Sequence, residues 1–383
     1  MGVNSMAERI PAEVFPPGGY IRDELEARGW TQADLAEILG KSLPGIGEIL
    51  NDRRGITADT AKGLAEAFGT SAEVWLNLDA RYRLASATPT PGTKLRSQIY
   101  SKAPVREMVK RQWIEGSTNP EVLGQRVCDF LGIASLDEEP RDLAHAARNA
   151  TSYEETSPRQ MAWLCRVAEL AHAAPAAGTY SAAKLPELVT KLRALVPNER
   201  DIRQVASLLS NYGIRFLIVE HLAQSKIDGV CYWLDKDSPV VALSLRYGRL
   251  DSFWHTLFHE LGHVKKKDGK DGNGVVDLDL TFSEDGLPLI ERSANTFAVE
   301  TLIPKDEMEG FINRVGPAYS LRNIQGFAAR IKVHPAIVIG QLAHRKEITW
   351  SRFGTHLPNV RDHVAAAALT DGWGHALPSL SER

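Results

Sequence analysis

The sequence lacks long hydrophobic runs and has few cysteines, and both features limit what the protein can be. Its longest apolar stretches, FLIV and VVALSL, are the length of a strand, whereas a membrane span takes about 20 residues. The N-terminal stretch MGVNSMAERIP has no apolar core of the kind that a secretory signal needs. The cysteines Cys128, Cys165 and Cys231 form no C-x-x-C pair, so we expect buried thiols in a reducing, cytoplasmic environment.

The composition is that of a globular protein with several domains. The chain has 383 residues, of which 43% are hydrophobic and 24% are charged, and this length can hold about two or three separate cores. The net charge of −3 indicates no class of partner until it is divided by region. No internal repeat of useful length is present.

Residues 14–84 predict a compact bundle of short helices. Apolar residues recur at helical spacing in YIRDELEARGW, TQADLAEILG, SLPGIGEIL and TADTAKGLAEAFG. Short polar or glycine-containing breaks separate these segments. Three side chains are placed to cap helix N-termini: Thr31, Ser42 and Thr57.

Composition divides the rest of the chain into further parts. An N-terminal arm at 1–13 precedes the bundle, and a proline- and threonine-rich linker at 85–94 follows it. Residues 95–195 predict a helical middle region with alanine-rich segments such as LAHAARNA. Strand-like segments come only later, in GIRFLIVEHL, DGVCYWLD and PVVALSLR. We therefore assign 196–350 to a second folded domain and 351–383 to a C-terminal tail.

The segment FWHTLFHELGHVKKK carries the H-E-x-x-H arrangement of a zinc peptidase. On a helix, His259 and His263 lie one turn apart on one face, so both can bind one metal ion, and Glu260 lies beside them to activate water. The helix also has an apolar side, as a buried active-site helix must. His255 lies one turn earlier, but each four-residue step rotates the face by about 40°, so three such histidines cannot close on one ion. We interpret His255 as a packing or supporting residue.

A hydrolytic zinc site needs a third protein ligand and one open position for water. The segment ERSANTFAVETLIP at 291–304 predicts an amphipathic helix that opens with Glu291, the natural third ligand. The alternative is two ordinary histidines with a chance glutamate, because the motif also occurs by accident. The apolar helix side, the preceding strand hairpin and the acidic helix start favour the metal site.

Two neighbouring segments admit both functional and structural interpretations. The hairpin DGVCYWLDKDSPVVALSL could supply an edge strand on which an extended substrate pairs, or it could only support the helix. The loop DGKDGNG lacks the D-x-[DN]-x-[DN]-G spacing of a calcium loop. We interpret this loop as a flexible flap or a plain connection.

Three segments resemble the ImmA/IrrE metallopeptidase family, a gluzincin-like group: FHELGH, ERSANTFAVETLIP and FAARIKVHPAIVIGQL. Residues 14–84, with TQADLAEILG and ITADTAKGLAEAFGTSAEVWLNL, resemble the HigA-type antitoxins of the XRE helix-turn-helix class. The resemblance covers most of 14–350, with the helical middle matched only loosely. It implies a mostly helical α+β protein with a lambda-repressor-like helix-turn-helix bundle, a helical middle region and a gluzincin-like zinc-peptidase domain with a small antiparallel or mixed sheet.

The resemblance also implies roles for single residues. The zinc ligands fall on His259, His263 and Glu291, and the general base falls on Glu260. Asn295 takes the last position of E-x-x-A-N, where we expect it to hydrogen-bond a zinc-binding histidine. No oxyanion-stabilising residue has a secure counterpart. The candidates, each with a structural alternative, are Tyr232, His334 and Arg345.

By resemblance, TQADLAEILG is the first helix of the helix-turn-helix and SLPGIGEILND is the recognition helix, which enters the major groove. Its Leu43 and Pro44 offer bases no side-chain hydrogen bond. Residues 1–84 hold nine Lys/Arg against thirteen Asp/Glu, a charge of −4, which disfavours contact with phosphates. The candidate DNA contacts are Lys41, Ser42, Arg53 and Arg54.

A basic strip at 94–111, KLRSQIYSKAPVREMVKR, carries six basic residues and one acidic residue. It could extend a DNA footprint, bind an acidic partner or form a solvated helix face.

Together these features predict a cytoplasmic regulator that binds operator DNA and carries a zinc-dependent endopeptidase. Its substrate would be a regulatory protein or the fusion itself, and we expect a homodimer without membrane association. Glu260 would take a proton from the attacking water and give it to the leaving amine. One alternative is a non-proteolytic antitoxin and autorepressor that uses the peptidase fold to bind a cognate toxin or to sense a signal. Another is a peptidase whose first domain only mediates dimerisation.

Overall fold

The computed structural model describes residues 14–138, 140, 156–174, 177–268, 270, 275–278 by their backbone, 288–375 and 377. The segment LAHAARNA and most of the loop DGKDGNG lie outside these residues. The chain divides into two compact units, Met1–Pro91 and Gly92–Arg383. The finer boundaries predicted at 84, 94, 195 and 350 stay predictions.

The described part of the first unit is a helical bundle. Its helices are α1 (Pro17–Arg28), α2 (Gln32–Ile38), α3 (Leu43–Leu50), α4 (Ala58–Phe68) and α5 (Ala72–Ser86). One apolar side of each helix faces a shared core, which contains Ile21, Leu35, Ile46, Leu64 and Trp75. This packing follows from the helical spacing of apolar residues in the sequence.

The three predicted N-caps are confirmed. The Thr31 hydroxyl accepts a hydrogen bond from the Asp34 backbone N–H, and the Thr31 backbone N–H donates to the Asp34 carboxylate. The hydroxyls of Ser42 and Thr57 cap α3 and α4 in the same way. Each cap satisfies a backbone N–H that the first helical turn leaves without a partner.

The second unit is built on a small mixed sheet. Its strands are β1 (Arg215–Val219), β2 (Ile227–Trp233), β3 (Pro239–Leu243), β4 (Val275–Leu278) and β5 (Leu369–Asp371). They lie in the order β4-β2-β3-β1-β5. Strand β1 is parallel to β3 and β5, whereas β2 is antiparallel to β3 and β4. The prediction of a mostly helical α+β protein with a small mixed sheet is confirmed.

Helices make up most of the rest of this unit. They are α6 (Thr93–Lys102), α7 (Val105–Lys110), α8 (Pro120–Leu131), α9 (Pro158–Ala173), α10 (Leu185–Leu195), α11 (Val205–Asn211), α12 (Leu250–Lys266), α13 (Leu289–Leu302), α14 (Lys305–Val315), α15 (Leu321–Arg330), α16 (Pro335–His344) and α17 (Arg361–Ala365). Three short 3-10 helices lie at Ala182–Lys184, Glu199–Gln204 and Gly354–His356. In the part of the chain that the structure describes, no helix is long and apolar enough to cross a bilayer.

Strands β1, β2 and β3 are buried on both faces of the sheet. Along β2, Cys231 and Trp233 belong to the core that contains α12, while Val230 and Tyr232 belong to the core that contains α9. Because both faces are covered, the strand sequences are continuous apolar runs and do not alternate between apolar and polar residues. The cysteines are buried, as predicted, and none forms a disulfide.

Of the two interpretations of the hairpin, the edge strand for a substrate is wrong, and support of the helix remains. Strand β2 pairs with β4 on its outer side, and β3 lies between β2 and β1. The hairpin strands are therefore interior, and among the described residues the outermost strands are β4 and β5. Both edge strands are short segments that no strand pattern in the sequence had indicated.

A buried ion pair connects β5 to α9. The Arg166 guanidinium on α9 pairs with the Asp371 carboxylate, and the Trp113 indole Nε1 donates to the same carboxylate at 3.0 Å. Arg166 is also 2.7 Å from the carboxylate of Glu169. Burial raises the pKa of Asp371, while Arg166 acts to lower it.

We expect Arg166→Met to lower the free energy of unfolding by about 3–5 kcal/mol at neutral pH, because it leaves the Asp371 carboxylate buried without a cation. A carboxyl with a raised folded-state pKa contributes stability at low pH and loses it as the pH rises. The deficit relative to the wild type should therefore shrink as the pH falls from about 7 to about 5. Urea unfolding at both pH values measures this deficit in the free energy of unfolding. Adding Asp371→Asn to Arg166→Met should recover part of the deficit. A deficit independent of pH would contradict this assignment.

Candidate functional site

Helix α12 carries the HELGH segment into the interior of the second unit. Its apolar residues Trp254, Leu257, Phe258 and Leu261 are buried as the sequence predicts. Three polar side chains are fully buried with them: His259, Glu260 and His263. Burying such groups is costly unless specific partners compensate them, so their joint burial marks a functional site.

Three side chains converge at this site. His259 Nε2 and His263 Nε2 are 3.0 Å apart, and Glu291 Oε2 lies 3.2 Å from the first and 3.7 Å from the second. Glu291 is in the first turn of α13 and is 6% exposed. The structure thus brings together the three residues that the sequence predicts as metal ligands, and they form a group able to hold a metal ion.

A close helix crossing puts Glu291 within reach of the histidines. A Cβ atom at Gly262 on α12 would lie 3.0 Å from the Cα of Ala294 and 3.3 Å from its Cβ on α13. The separation of two packed helices depends on the side chains at their contact, and here both are minimal. The glycine of HELGH and the alanine of E-x-x-A-N therefore have a steric role, which is to bring the two helices together.

The second ring nitrogen of each histidine faces a hydrogen-bond acceptor. His259 Nδ1 is 2.8 Å from Asn295 Oδ1, and His263 Nδ1 is 3.0 Å from Asp268 Oδ2. An acceptor at Nδ1 places the ring hydrogen there and leaves Nε2 as the basic nitrogen. Asn295 lies where the resemblance led us to expect it. Asp268 was not predicted, because nothing in its segment singles it out.

The donor set fits zinc. Two imidazoles and one carboxylate are the protein ligands of a known class of hydrolytic zinc site. Tetrahedral ligands with zinc bonds of about 2.0–2.1 Å lie roughly 3.3 Å from one another. The separations between the His259, His263 and Glu291 ligand atoms, 3.0, 3.2 and 3.7 Å, bracket that value.

Glu260 lies against strand β2 at a glycine. A Cβ atom at Gly229 would be 2.0 Å from Glu260 Oε1 and 3.1 Å from Thr256 Cγ2. Any other residue at this position would push the carboxylate away. Gly229 therefore leaves the space that the Glu260 carboxylate occupies.

The remaining candidates have other contacts. The His255 and His259 ring centroids are 6.3 Å apart, and His255 is outside the ligand group. The Tyr232 hydroxyl donates to the Val167 carbonyl at 3.5 Å, in the core on the opposite sheet face from α12. His334 Nδ1 caps α16. Arg345 is exposed at the end of that helix, so no described contact places an oxyanion candidate at the site.

The residues predicted to contact DNA surround α3: Lys41, Ser42, Arg53 and Arg54. The Ser42 hydroxyl accepts a hydrogen bond from the Gly45 backbone at 3.3 Å. Lys41 is 2.6 Å from Asp59, and Arg54 is 3.7 Å from Glu48. Exposed ion pairs of this kind are weak and exchange readily for other partners. Leu43 at the start of α3 is 50% exposed.

Comparison with known families identifies a domain in each of the two units. Residues 21–75, which include α2 and α3, match the family model described as helix-turn-helix. Residues 210–339, which include the three converging side chains, match the model described as IrrE N-terminal-like domain. The chain belongs to the helix-turn-helix family and carries an IrrE N-terminal-like domain. The match to the IrrE N-terminal-like model shows that residues 210–339 form a metallopeptidase-like domain.

Relatives of the helix-turn-helix domain cover only part of the chain. Virulence-associated protein I of Dichelobacter nodosus is 43% identical over 88 residues, 23% of this chain and 80% of that protein. An addiction module antidote protein of a HigA family from Coxiella burnetii is 36% identical, with a TM-score of 0.20 and coverage of 22% and 94% of the two chains. The Pseudomonas aeruginosa antitoxin HigA, solved with the higBA promoter, is 37% identical, with a TM-score of 0.21 and the same coverage.

The basic strip at 94–111 follows the helix-turn-helix domain, and three of its six basic residues make contacts within the second unit. Arg96 donates to the Thr118 carbonyl at 2.9 Å, and Lys102 donates to the Glu138 carbonyl at 3.2 Å. Arg111 donates to the carbonyls of residues 220 and 221. These contacts favour a structural role for that half of the strip.

Gly229→Ala in the IrrE N-terminal-like domain should lower the free energy of unfolding by about 1–3 kcal/mol, because the added methyl group overlaps Glu260. In a Glu260→Ala background the same change should cost much less, since the overlapping carboxylate is gone. Urea unfolding of the wild type, both single variants and the double variant measures this coupling. Equal costs in the two backgrounds would show that a methyl group at position 229 does not displace the Glu260 carboxylate.

Proposed function

We propose that this chain is a transcription regulator that binds operator DNA through its helix-turn-helix domain and carries a zinc-dependent endopeptidase. The peptidase would cleave a regulatory protein or the fusion itself. The observation that carries the proposal is the buried convergence of His259, His263 and Glu291, with Glu260 beside them. This arrangement supplies metal ligands and a base in one enclosed place.

The chain's own residues would divide the work of peptide hydrolysis. His259, His263 and Glu291 would hold the zinc, which when bound would polarise the substrate carbonyl and lower the pKa of the attacking water. Glu260 would accept a proton from that water and pass it to the leaving amine. The contact of His259 with Asn295 would hold its ring in the orientation that metal binding requires.

The environment of Glu260 favours an enzyme over a purely binding domain. A domain that only binds a toxin or senses a signal needs no buried carboxylate beside its metal ligands. Burying a carboxylate is costly, and here β2 also has no side chain at Gly229, where one would overlap the Glu260 carboxylate. These features support proteolysis over the non-proteolytic antitoxin, in which a cognate toxin would be the partner.

Protein purified without added metal should contain about one zinc ion per chain. Glu291→Ala should lose most of it, because two histidines alone bind zinc weakly, whereas Glu260→Gln should keep it. Elemental analysis after gel filtration measures the ratio, and circular dichroism checks that each variant is folded. A wild-type protein that binds no zinc even after reconstitution would refute the metal site.

Proteolysis is tested with the same pair of proteins. Cells expressing the wild-type chain should contain new protein N-termini that are missing from cells expressing Glu260→Gln, with fragments of this chain included in the search. If the two sets are identical while zinc and DNA are both bound, the non-proteolytic regulator is the correct function.

DNA binding is proposed from the helix-turn-helix match and from the exposed start of α3 with its nearby cations. A duplex from the region upstream of its own gene should bind, and the Arg53→Ala, Arg54→Ala double variant should bind more weakly. Each lost phosphate contact should reduce the slope of log K against log salt concentration by about 0.9. Arg81→Ala, an exposed position on α5, is the matched control.

If the double variant binds with the affinity and salt dependence of the wild type, Arg53 and Arg54 do not contact the phosphates. If the wild type protects no site in footprinting, the first domain has another role, such as dimerisation.

A further inference from the structure

We propose that Asp268 is a positioning residue for the metal site and that Trp233 holds it in place. This inference rests on the proposed zinc site and extends it beyond the ligands. Asp268 lies just after α12, and Trp233 is the last residue of β2. Together they connect the sheet to the second metal-binding histidine, His263.

The turn after α12 brings Asp268 back to the helix that it has just left. Lys267 adopts the left-handed conformation with φ of 60°, and the Asp268 backbone N–H donates to the His263 carbonyl at 3.0 Å. This bond spans five residues, as in the Schellman ending of a helix. Asp268 therefore contacts His263 twice, through its backbone and through its carboxylate.

The carboxylate contact bears on metal binding. A carboxylate that accepts the Nδ1 hydrogen fixes the tautomer and the ring orientation of a metal-binding histidine and makes Nε2 more basic. Asn295 makes the corresponding contact with His259, but through a neutral amide. The charged contact is therefore at His263.

Trp233 fixes the turn itself. Its indole Nε1 donates to the Asp268 backbone carbonyl at 2.9 Å, and its ring packs edge to face against Tyr180 with centroids 5.3 Å apart. An indole has a single N–H to donate, and here that donor holds the residue that orients His263. The same strand carries Gly229 against Glu260, so β2 positions both the base and a ligand.

Zinc affinity tests the proposal without any substrate. Competition with a chelator should show that Asp268→Ala binds zinc about 10–100-fold more weakly than the wild type, as is usual when such a partner is lost. Asp268→Asn should be weakened less, because its amide oxygen can still accept the Nδ1 hydrogen. Asp237→Asn, an exposed position in the β2–β3 turn, is the matched control and should bind like the wild type.

The role of Trp233 is tested by zinc affinity and by tryptophan fluorescence emission. Trp233→Phe keeps an aromatic ring but removes the donor, so zinc should bind more weakly than to the wild type and more tightly than to Asp268→Ala. Zinc should also change the tryptophan emission of the wild type, and the change should be smaller in Trp233→Phe. Unchanged zinc affinity in Trp233→Phe would refute the role of Trp233 in holding Asp268.

The outcomes separate this inference from the proposed function. If the wild type binds zinc and both folded Asp268 variants bind it equally well, the positioning role is refuted while the three-ligand site stands. If the wild type binds no zinc, the proposed function fails, and the positioning roles of Asp268 and Trp233 fail with it. Asp268→Asn preserves the size of the side chain and removes its charge. If Asp268→Ala does not fold, zinc affinity in Asp268→Asn equal to that of the wild type, together with unchanged affinity in Trp233→Phe, would refute the positioning role.

Discussion

The close packing of α12 against α13 is the constraint on which the functional site depends. Gly262 and Ala294 let the two backbones approach, and this approach puts a carboxylate from one helix beside two imidazoles from the other. Neither helix contains a complete site, since α12 carries two of the predicted ligands and α13 carries the third. A larger side chain at the crossing would separate the ligands without altering any of them.

The sheet completes the arrangement from the opposite side of α12. Strand β2 is an interior strand, paired on both sides by β4 and β3, and its residues pack against the helix. Gly229 lies against Glu260, and Trp233 binds the turn that holds Asp268. The chemistry proposed for α12 therefore relies on a strand that contributes no ligand.

Features that depend on local spacing could be predicted from the sequence. The histidines four residues apart and the caps Thr31, Ser42 and Thr57 follow from the geometry of a single helix. Glu291, in the first turn of α13, was predicted from the acidic start of its segment and from the family resemblance. The interior position of the hairpin could not be predicted, because it depends on pairing with short, distant segments at 275–278 and 369–371. Asp268 was also missed, because its contact requires Lys267 to adopt a left-handed conformation that glycine usually supplies.

The fit between Gly229 and Glu260 has a consequence for the interpretation of genomes. A protein that keeps every residue of the H-E-x-x-H segment but has a side chain at the position of Gly229 would still be recognised as a metallopeptidase. Its glutamate could not occupy the same place, so it would be a metal-binding homologue without a correctly placed base. The residue on this strand could therefore distinguish active members from degenerate ones where the motif alone cannot.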